Sequence, residues 1–145
     1  MEKSHMIITK NCSYIQLPKI VDGIDGCISV AESHKHVPFA IKRVYYIYNL
    51  GNENAIRGKH AHKTLEQVLF CVSGGFLLTL DDGINKQEVF LDQPDKGVYL
   101  GTYLWHTMTK FSKNCVLLVL ASDFFSEADY IRDYDQFLEI IGKKK

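Results

Sequence analysis

Short runs of apolar and β-branched residues, separated by polar turns, make up most of the chain. The segment AIKRVYYIYNL (40–50) is rich in β-branched and aromatic residues, which favour strands. The segment LEQVLFCVSGGFLLTLDDGINKQEVFL (65–91) predicts three strands, because its Gly-Gly and Asp-Asp-Gly sequences are strong turn signals. The pattern continues in GVYLGTYLWHTM (97–108) and NCVLLVLAS (114–122). Several of these runs are apolar on both faces, which predicts a closed barrel or two packed sheets.

The last part of the chain changes to a helical period. In SEADYIRDYDQFLEII (126–141), Ser126 is followed three residues later by Asp129, which resembles an N-terminal capping signal. Apolar residues then recur at helical spacing, and Gly142 can end the helix. These residues are Ile131, Tyr134, Leu138 and Ile141. No repeat or linker interrupts the sequence, so we predict one mainly β domain over residues 1–145 with a short C-terminal α-helix.

Net charge, apolar run length and cysteine content limit which partners and which cellular compartment are expected. Lys+Arg and Asp+Glu number 17 each, so no net charge attracts nucleic acid or an anionic membrane. The apolar run CVLLVLA (115–121) is too short to cross a bilayer, and the N-terminus lacks the apolar stretch of a signal peptide. The four scattered cysteines are expected to be reduced thiols of a cytoplasmic protein, with Cys71 and Cys115 packing as small hydrophobic residues.

The segment RGKHAHKTLEQ (57–67) concentrates the candidate chemistry. Residues two apart on a strand point to the same side, so His60 and His62 share a face, and Glu66 joins them if the strand stays regular. Arg57 adds a guanidinium beside a glycine, where the backbone can approach a ligand closely. By contrast, the two histidines of SHKHVP (33–38) are typical of packing or surface residues.

Two kinds of chemistry fit these residues. A third histidine, His106, lies in YLWHTM, and two histidines, a carboxylate and a distant histidine resemble the four ligand positions of the cupin superfamily. The segment from Gly58 to Gly74 matches the first cupin motif, and GVYLGTYLWH approximates the second. His60, His62, Glu66 and His106 are therefore candidate ligands for Fe, Mn, Ni or Zn. A pair of proton carriers is the alternative.

A closer resemblance extends over nearly the whole chain. The sequence is similar to the nucleotide-sugar 3,4-ketoisomerases, and RGKH also resembles the RG-x-H motif of deoxysugar 3,5-epimerases, whose histidine is a base. The segments that carry the likeness are 38–49, 57–74, 80–83, 97–108 and 119–137.

This resemblance implies a cupin β-barrel (jelly roll) without metal or cofactor, assembled as a homodimer with swapped N-terminal strands. The implied substrate is dTDP-4-keto-6-deoxyglucose, and the implied pathway is the biosynthesis of 3-amino-dideoxysugars for surface glycans such as O-antigen.

The implied reaction needs two proton carriers. Moving a carbonyl from C4 to C3 requires removal of the C3 proton, an enediol and return of a proton at C4. We assign His60 as the base at C3 and His62 as the second carrier, with the reverse assignment as the alternative. Imidazole suits both tasks, since its unperturbed pKa is about 6.5. Glu66 is expected beside them, where it orients one ring and raises its basicity.

Further residues are expected to bind the substrate. Arg57, and after it Arg43, are candidates for the diphosphate, because guanidinium groups bind phosphate oxygens bidentately. Tyr45 and Tyr48 are candidates for a hydroxyl or aromatic contact, with wall residues as the alternative. Ligand contact and dimer packing explain Tyr130 and Arg132 equally well.

The configuration of the product at C4 receives conflicting signals. Relatives with a galacto product tend to carry RG near the N-terminus and a histidine in a WH pair. Here Trp105-His106 supplies the pair, but Asp25-Gly26 stands in place of RG. Because His106 is expected near C4, we predict 3-keto-6-deoxygalactose as the product, with the gluco isomer as the alternative.

Three other functions fit parts of the pattern. A metal-dependent cupin enzyme would contain stoichiometric metal, and a sugar-nucleotide sensor would bind without turnover. A 3,5-epimerase would exchange hydrogen at C3 and C5, whereas a ketoisomerase leaves C5 untouched.

Overall fold

Two five-stranded antiparallel sheets form the frame of the computed structural model, which describes residues 6–52 and 54–143. The first sheet is ordered β1 (Cys12–Gln16), β9 (Lys96–Leu100), β6 (Gln67–Ser73), β11 (Val116–Ala121), β4 (Arg43–Ile47). The second is ordered β12 (Tyr130–Ile131), β5 (Arg57–His62), β10 (Trp105–Thr109), β7 (Phe76–Asp81), β8 (Lys86–Leu91). Strands β2 (Lys19–Val21) and β3 (Cys27–Ser29) form a separate hairpin, and one helix, α1 (Tyr134–Lys143), follows β12.

The two sheets face each other across one large apolar core. The chain passes from β5 in the second sheet to β6 in the first and to β7 in the second, so both sheets contribute inward side chains. Leu69, Leu117 and Val119 come from the first sheet, and Leu78 and Leu80 from the second. The mainly β jelly roll with a short C-terminal helix is therefore confirmed.

Both sheets are also covered on parts of their outer faces, which explains why some strands lack polar alternation. Val37 and Phe39 pack against Val68 and Phe70 on the outside of the first sheet. Phe137 of α1 packs in a separate cluster with Ala61 and Ile131. The doubly apolar strands thus reflect packed outer layers rather than one continuously hydrogen-bonded barrel.

The three strands predicted over 65–91 are confirmed as β6, β7 and β8. The strand pattern of 97–108 is confirmed as two strands in different sheets, β9 and β10, because the chain turns between Leu100 and Trp105. All four cysteines are free thiols, and Cys71 and Cys115 are buried in the main core, as expected.

Within the described ranges, no helix has the length and apolar character needed to span a bilayer.

The start of the C-terminal helix was wrongly predicted. Ser126 is extended and makes no side-chain cap, and it is followed by a short 3₁₀ turn, Glu127–Asp129, and by β12. Asp133 supplies the cap instead, because its Oδ1 accepts the backbone N–H of Gln136 at 2.8 Å. Phe137 is the buried residue of the helix, whereas Leu138 remains 36% exposed.

A β-bulge in β5 sets the direction of the residues that follow it. Gly58 pairs with Thr107 and His60 with His106, so Lys59 is an extra residue without a partner in β10. Gly58 and Lys59 have φ angles of +83° and +60°. The extra residue shifts the alternation of the strand by one, so that Arg57 and His60, three apart in sequence, both face the interior between the sheets.

Gly58 is required at this position. Its φ lies in the left-handed region, and a Cβ there would meet the carbonyl oxygen of His106 at 2.8 Å. We expect Gly58→Ala to lower the free energy of unfolding by about 1–3 kcal/mol, measured by urea unfolding. Gly51→Ala is the matched control, because a Cβ there meets no atom within 4 Å. Equal stability of the two variants would contradict the bulge assignment.

Candidate active site

Three histidines meet at one end of the interior between the sheets. His60 and His62 come from β5, and His106 comes from β10 directly opposite His60. The His60 ring centroid lies 4.9 Å from that of His62 and 4.8 Å from that of His106. The predicted shared face of His60 and His62 is therefore present, and His106 joins them across the strand pair.

The cluster adjoins a cavity of about 270 Å³. Six residues predicted from the sequence line it: Arg43, Tyr45, Arg57, His60, His106 and Tyr130. Its walls also include Gln67, Phe125 and the aliphatic side chains Ile47, Leu69, Leu100 and Val119. Tyr130 contacts both imidazoles of β5, with ring centroids 4.9 Å from His60 and 4.4 Å from His62. The cavity thus combines one apolar wall with convergent basic and hydroxyl groups, as ligand sites commonly do.

The three imidazoles are neutral at neutral pH. Burial, together with the nearby His62 and Arg132, lowers the pKa of His60 to about 4. Burial also lowers the pKa of His62 to about 4, although Asp129 acts in the opposite direction. The fully buried His106 has a pKa well below 6.5 for the same reason. The near-neutral pKa expected from the sequence is therefore wrong for these buried imidazoles, which offer lone pairs rather than charges.

His106 is oriented by the backbone of its own strand. Its Nδ1 lies 3.2 Å from the carbonyl oxygen of Leu104, a geometry in which a protonated Nδ1 donates the hydrogen bond. In that tautomer Nε2 is the acceptor. His106 is 3% exposed, so this side chain is held by packing as well as by the hydrogen bond.

The carboxylate beside the imidazoles is Asp129, not Glu66 as predicted. The chain turns at Lys63–Thr64 after β5, so Glu66 does not continue the face of His62. The Glu66 carboxylate accepts a hydrogen bond from the Tyr99 hydroxyl at 2.5 Å. Asp129 Oδ2 instead lies 3.4 Å from Nδ1 of His62. The sequence argument missed Asp129 because it was interpreted as part of a helix cap.

The turn that removes Glu66 brings Gln67 into the cavity. Gln67 is 3% exposed, and its Nε2 donates to the Tyr45 hydroxyl at 2.6 Å. Because the Tyr45 oxygen accepts this hydrogen bond, its own proton is free to be donated to a ligand. Burial raises the pKa of Tyr45, so the phenol stays protonated near neutral pH.

Two further predicted ligand residues do not line the cavity. Tyr48 follows the end of β4 on the outer face, where it is 58% exposed and packs against Tyr46. Arg132 forms a two-contact ion pair with Glu127 on the surface, and its guanidinium lies 4.2 Å from the Tyr130 ring centroid. Arg132 therefore supports a cavity residue from outside, whereas Tyr48 faces away from the site.

The three histidines also form a candidate metal site. One ligand nitrogen from each histidine lies within 4.8 Å of the others. Two nitrogens bound to one ion at about 2.0–2.1 Å lie at most about 4.2 Å apart, so an ion would draw the rings slightly together. Among the described residues the cluster contains no carboxylate, since Glu66 lies elsewhere. The same imidazoles can also accept protons, because each of them is neutral.

Comparison with known proteins identifies the family that the sequence matches. Residues 10–142 match the family model described as "FdtA: WxcM-like, C-terminal". The chain is 49% identical over 129 residues to a TDP-4-oxo-6-deoxy-alpha-D-glucose-3,4-oxoisomerase from Aneurinibacillus thermoaerophilus, covering 89% of this chain and 91% of that protein.

Solved structures agree with this match. The WlaRB TDP-quinovose 3,4-ketoisomerase from Campylobacter jejuni is 48% identical, with a TM-score of 0.85 over 90% of this chain and 98% of that one. A mutant of the 3,4-ketoisomerase QdtA from Thermoanaerobacterium thermosaccharolyticum, in complex with TDP-4-keto-6-deoxyglucose, is 36% identical. Its TM-score is 0.90 over 94% of this chain and 98% of that one.

A jelly roll with imidazoles converging beside an interior cavity is the architecture of a cupin-like enzyme. The chain belongs to the FdtA, WxcM-like family, and it is an isomerase of the sugar 3,4-ketoisomerase type.

Buried neutral histidines make the stability of the protein depend on pH. His62 has a folded-state pKa of about 4 against an ordinary value of 6.5, so the unfolded chain takes up the proton first as the pH falls. The stabilisation is complete above pH 6.5 and is lost as the pH falls from 6.5 to 4. We expect wild type to lose about 2–3 kcal/mol more than His62→Asn between pH 7.5 and 4.5, measured by urea unfolding. Parallel pH profiles would contradict a buried neutral His62.

Proposed function

We propose that this protein converts TDP-4-keto-6-deoxyglucose to the 3-keto isomer by metal-free proton transfer through an enediol. The observation that carries the proposal is the adjacent pair His60 and His62, of which His60 lines a small, partly apolar cavity. The relatives named for this reaction, at 48% and 49% identity, support the same substrate class. We further propose a cytoplasmic enzyme that supplies the 3-keto sugar for amination in surface-glycan biosynthesis.

The size of the cavity suits the reacting sugar alone. Its 270 Å³ lies below the range of about 300–1,000 Å³ that is usual for whole ligands. A sugar ring would therefore occupy the space beside the histidines, and the diphosphate and nucleoside would extend outward. Arg43 and Arg57 line the cavity and supply positive charge for the diphosphate. Arg43 also has a buried Nε without a hydrogen-bond partner, which favours an oxygen ligand there.

The reaction is a balanced transfer of two protons. His60 removes the proton from C3, and the released electron pair forms the C3–C4 double bond while Tyr45 donates its hydroxyl proton to the C4 oxygen. The proton on His60 passes to the adjacent His62, which delivers it to C4. As the new carbonyl forms at C3, the C3 hydroxyl returns a proton to the Tyr45 oxygen, so that all three side chains end in their starting states.

The low pKa of the imidazoles agrees with this sequence of steps. A neutral imidazole is ready to accept a proton, and its pKa rises when an anion binds nearby. The TDP diphosphate is such an anion, and it would approach Arg43 and Arg57 beside the histidines. Binding of the substrate therefore adjusts the base toward the pKa that efficient proton transfer requires.

We propose the galacto configuration at C4 of the product, with gluco as the alternative. His106 supports this choice, because its ring lies beside His60 in the cluster and can reach the same end of the sugar. Asp25 lies in an exposed turn and is not among the residues that line the cavity of its own chain. Any effect of Asp25 on configuration would therefore act on a partner's site.

We also propose a homodimer with exchanged N-terminal strands. Strands β2 and β3 pair with each other, and every residue of both is exposed. Ile20, Val21 and Ile28 are each more than 50% exposed, and a partner subunit would cover this apolar surface. Light scattering is expected to give twice the 16.6 kDa mass of the chain, and a monomer mass would contradict the exchange.

The function is tested by incubating the protein with TDP-4-keto-6-deoxyglucose and identifying the product by NMR. We expect the carbonyl at C3, unchanged hydrogen at C5, and a C4 coupling constant of galacto geometry. His60→Asn should lower kcat by about 10²–10⁴-fold, because a positioned general base contributes that much.

Tyr48→Phe is the control, since Tyr48 is exposed on the outer face and should leave kcat unchanged. Unaltered substrate with folded wild-type protein would refute the proposed reaction. Substantial turnover by His60→Asn would refute the role of His60 alone, and solvent deuterium at C5 would indicate an epimerase.

A further inference from the structure

We propose that Asp129 is a positioning residue that fixes His62 with its ring proton on Nδ1, leaving the Nε2 lone pair available for proton transfer. The inference deepens the proposed function, on which its catalytic consequence rests. The tautomer of His62 is a property of the free protein and does not depend on that function.

The Asp129 carboxylate is held in place by the loop that follows His62. Its Oδ1 accepts hydrogen bonds from the backbone N–H and the hydroxyl of Thr64, both at 2.7 Å. Its Oδ2 accepts the backbone N–H of Leu65 at 3.1 Å. Strand β12 pairs with β5 next to this loop, with Tyr130 opposite His62. Three hydrogen bonds and a strand pairing therefore fix the carboxylate relative to the imidazole.

The same carboxylate faces His62. Oδ2 lies 3.4 Å from Nδ1, and the two side chains are 11% and 3% exposed. This contact is longer and less well aligned than a hydrogen bond, and neither ring nitrogen of His62 has another hydrogen-bond partner among the described residues.

The ionisation of Asp129 decides which nitrogen carries the proton. Although partial burial acts in the opposite direction, hydrogen bonds from Thr64 and Leu65 hold the pKa of Asp129 below its usual value. The carboxylate is therefore ionised at neutral pH and only accepts hydrogen bonds. A lone pair on Nδ1 would face a negative charge, whereas an N–H there is attracted to it. Nδ1 is consequently the protonated nitrogen, and Nε2 holds the free lone pair.

The contact with Asp129 distinguishes His62 from His60, the other histidine of β5. The buried Nδ1 of His60 has no hydrogen-bond partner among the described residues, and no carboxylate contact accompanies it. When Nε2 of His62 takes up a proton, the resulting imidazolium has Asp129 beside it, which stabilises the charge. His62 is therefore the imidazole built to hold a proton between the two transfer steps.

The test compares Asp129→Asn with a matched carboxylate variant, Asp82→Asn. Asp82 also accepts backbone N–H groups, from Lys10, Ile84 and Asn85, and makes no contact with the histidines. Nitrogen-15 NMR of the ring nitrogens of His62 in free protein reports the tautomer. We expect Nδ1–H in wild type and Asp82→Asn, and a changed tautomer ratio in Asp129→Asn. We also expect Asp129→Asn to lower kcat by about 10–100-fold with KM changed little.

The Thr64→Val variant distinguishes two roles of Asp129, which are to position His62 and to support the loop that follows β5. It removes one hydrogen bond from Asp129 but leaves the carboxylate facing His62. We expect it to keep the wild-type tautomer and most of kcat. An Asp129→Asn variant with the wild-type tautomer and kcat would overturn the inference, as would a Thr64→Val variant with an equal loss of kcat. Wild-type protein that shows the Nδ1–H tautomer but no ketoisomerase activity would refute the proposed function alone.

Discussion

The bulge in β5 sets the directions of the Arg57, His60 and His62 side chains, and the site depends on this constraint. A regular strand would place Arg57 and His60 on opposite faces, because side chains alternate along it. The extra residue Lys59 and the left-handed φ of Gly58 shift this phase by one. A cation and two imidazoles then face the same interior space. In the sequence RGKH, the glycine and the lysine therefore set the backbone geometry that places the arginine and histidine side chains in the interior.

The depth of the cluster determines its chemistry. Packing between the sheets keeps His62 and His106 almost entirely from solvent, and this burial disfavours their charged forms. Neutral imidazoles can accept protons, and the arginines at the cavity keep positive charge available for an anionic substrate. The protein gives up stability at acidic pH, where these buried groups would have to be charged. Burial among apolar side chains is therefore the common cause of the neutral state of the histidines and of the lower stability at acidic pH.

Much of this arrangement is predictable from sequence, and the failures share one cause. Strand runs, the shared face of His60 and His62, and the contributions of Arg43, Tyr45, His106 and Tyr130 follow from local periodicity and family likeness. Glu66 and Asp129 were assigned incorrectly because a turn after β5 ends the alternation, and no local pattern shows which carboxylate returns to the site. Contacts between residues far apart in the chain, such as His62 with Asp129, are set by sheet topology. Asp133 was likewise missed as the helix cap because β12 intervenes.

The central claim is that imidazoles move the protons without help from an ion, and turnover by metal-depleted protein tests it most directly. The protein would be treated with a chelator, assayed with TDP-4-keto-6-deoxyglucose, and analysed for bound metal in the same sample. We expect full turnover with substoichiometric metal, because removal of a proton beside a carbonyl requires only a positioned base and a hydrogen-bond donor. Loss of turnover that a divalent cation restores would contradict the claim.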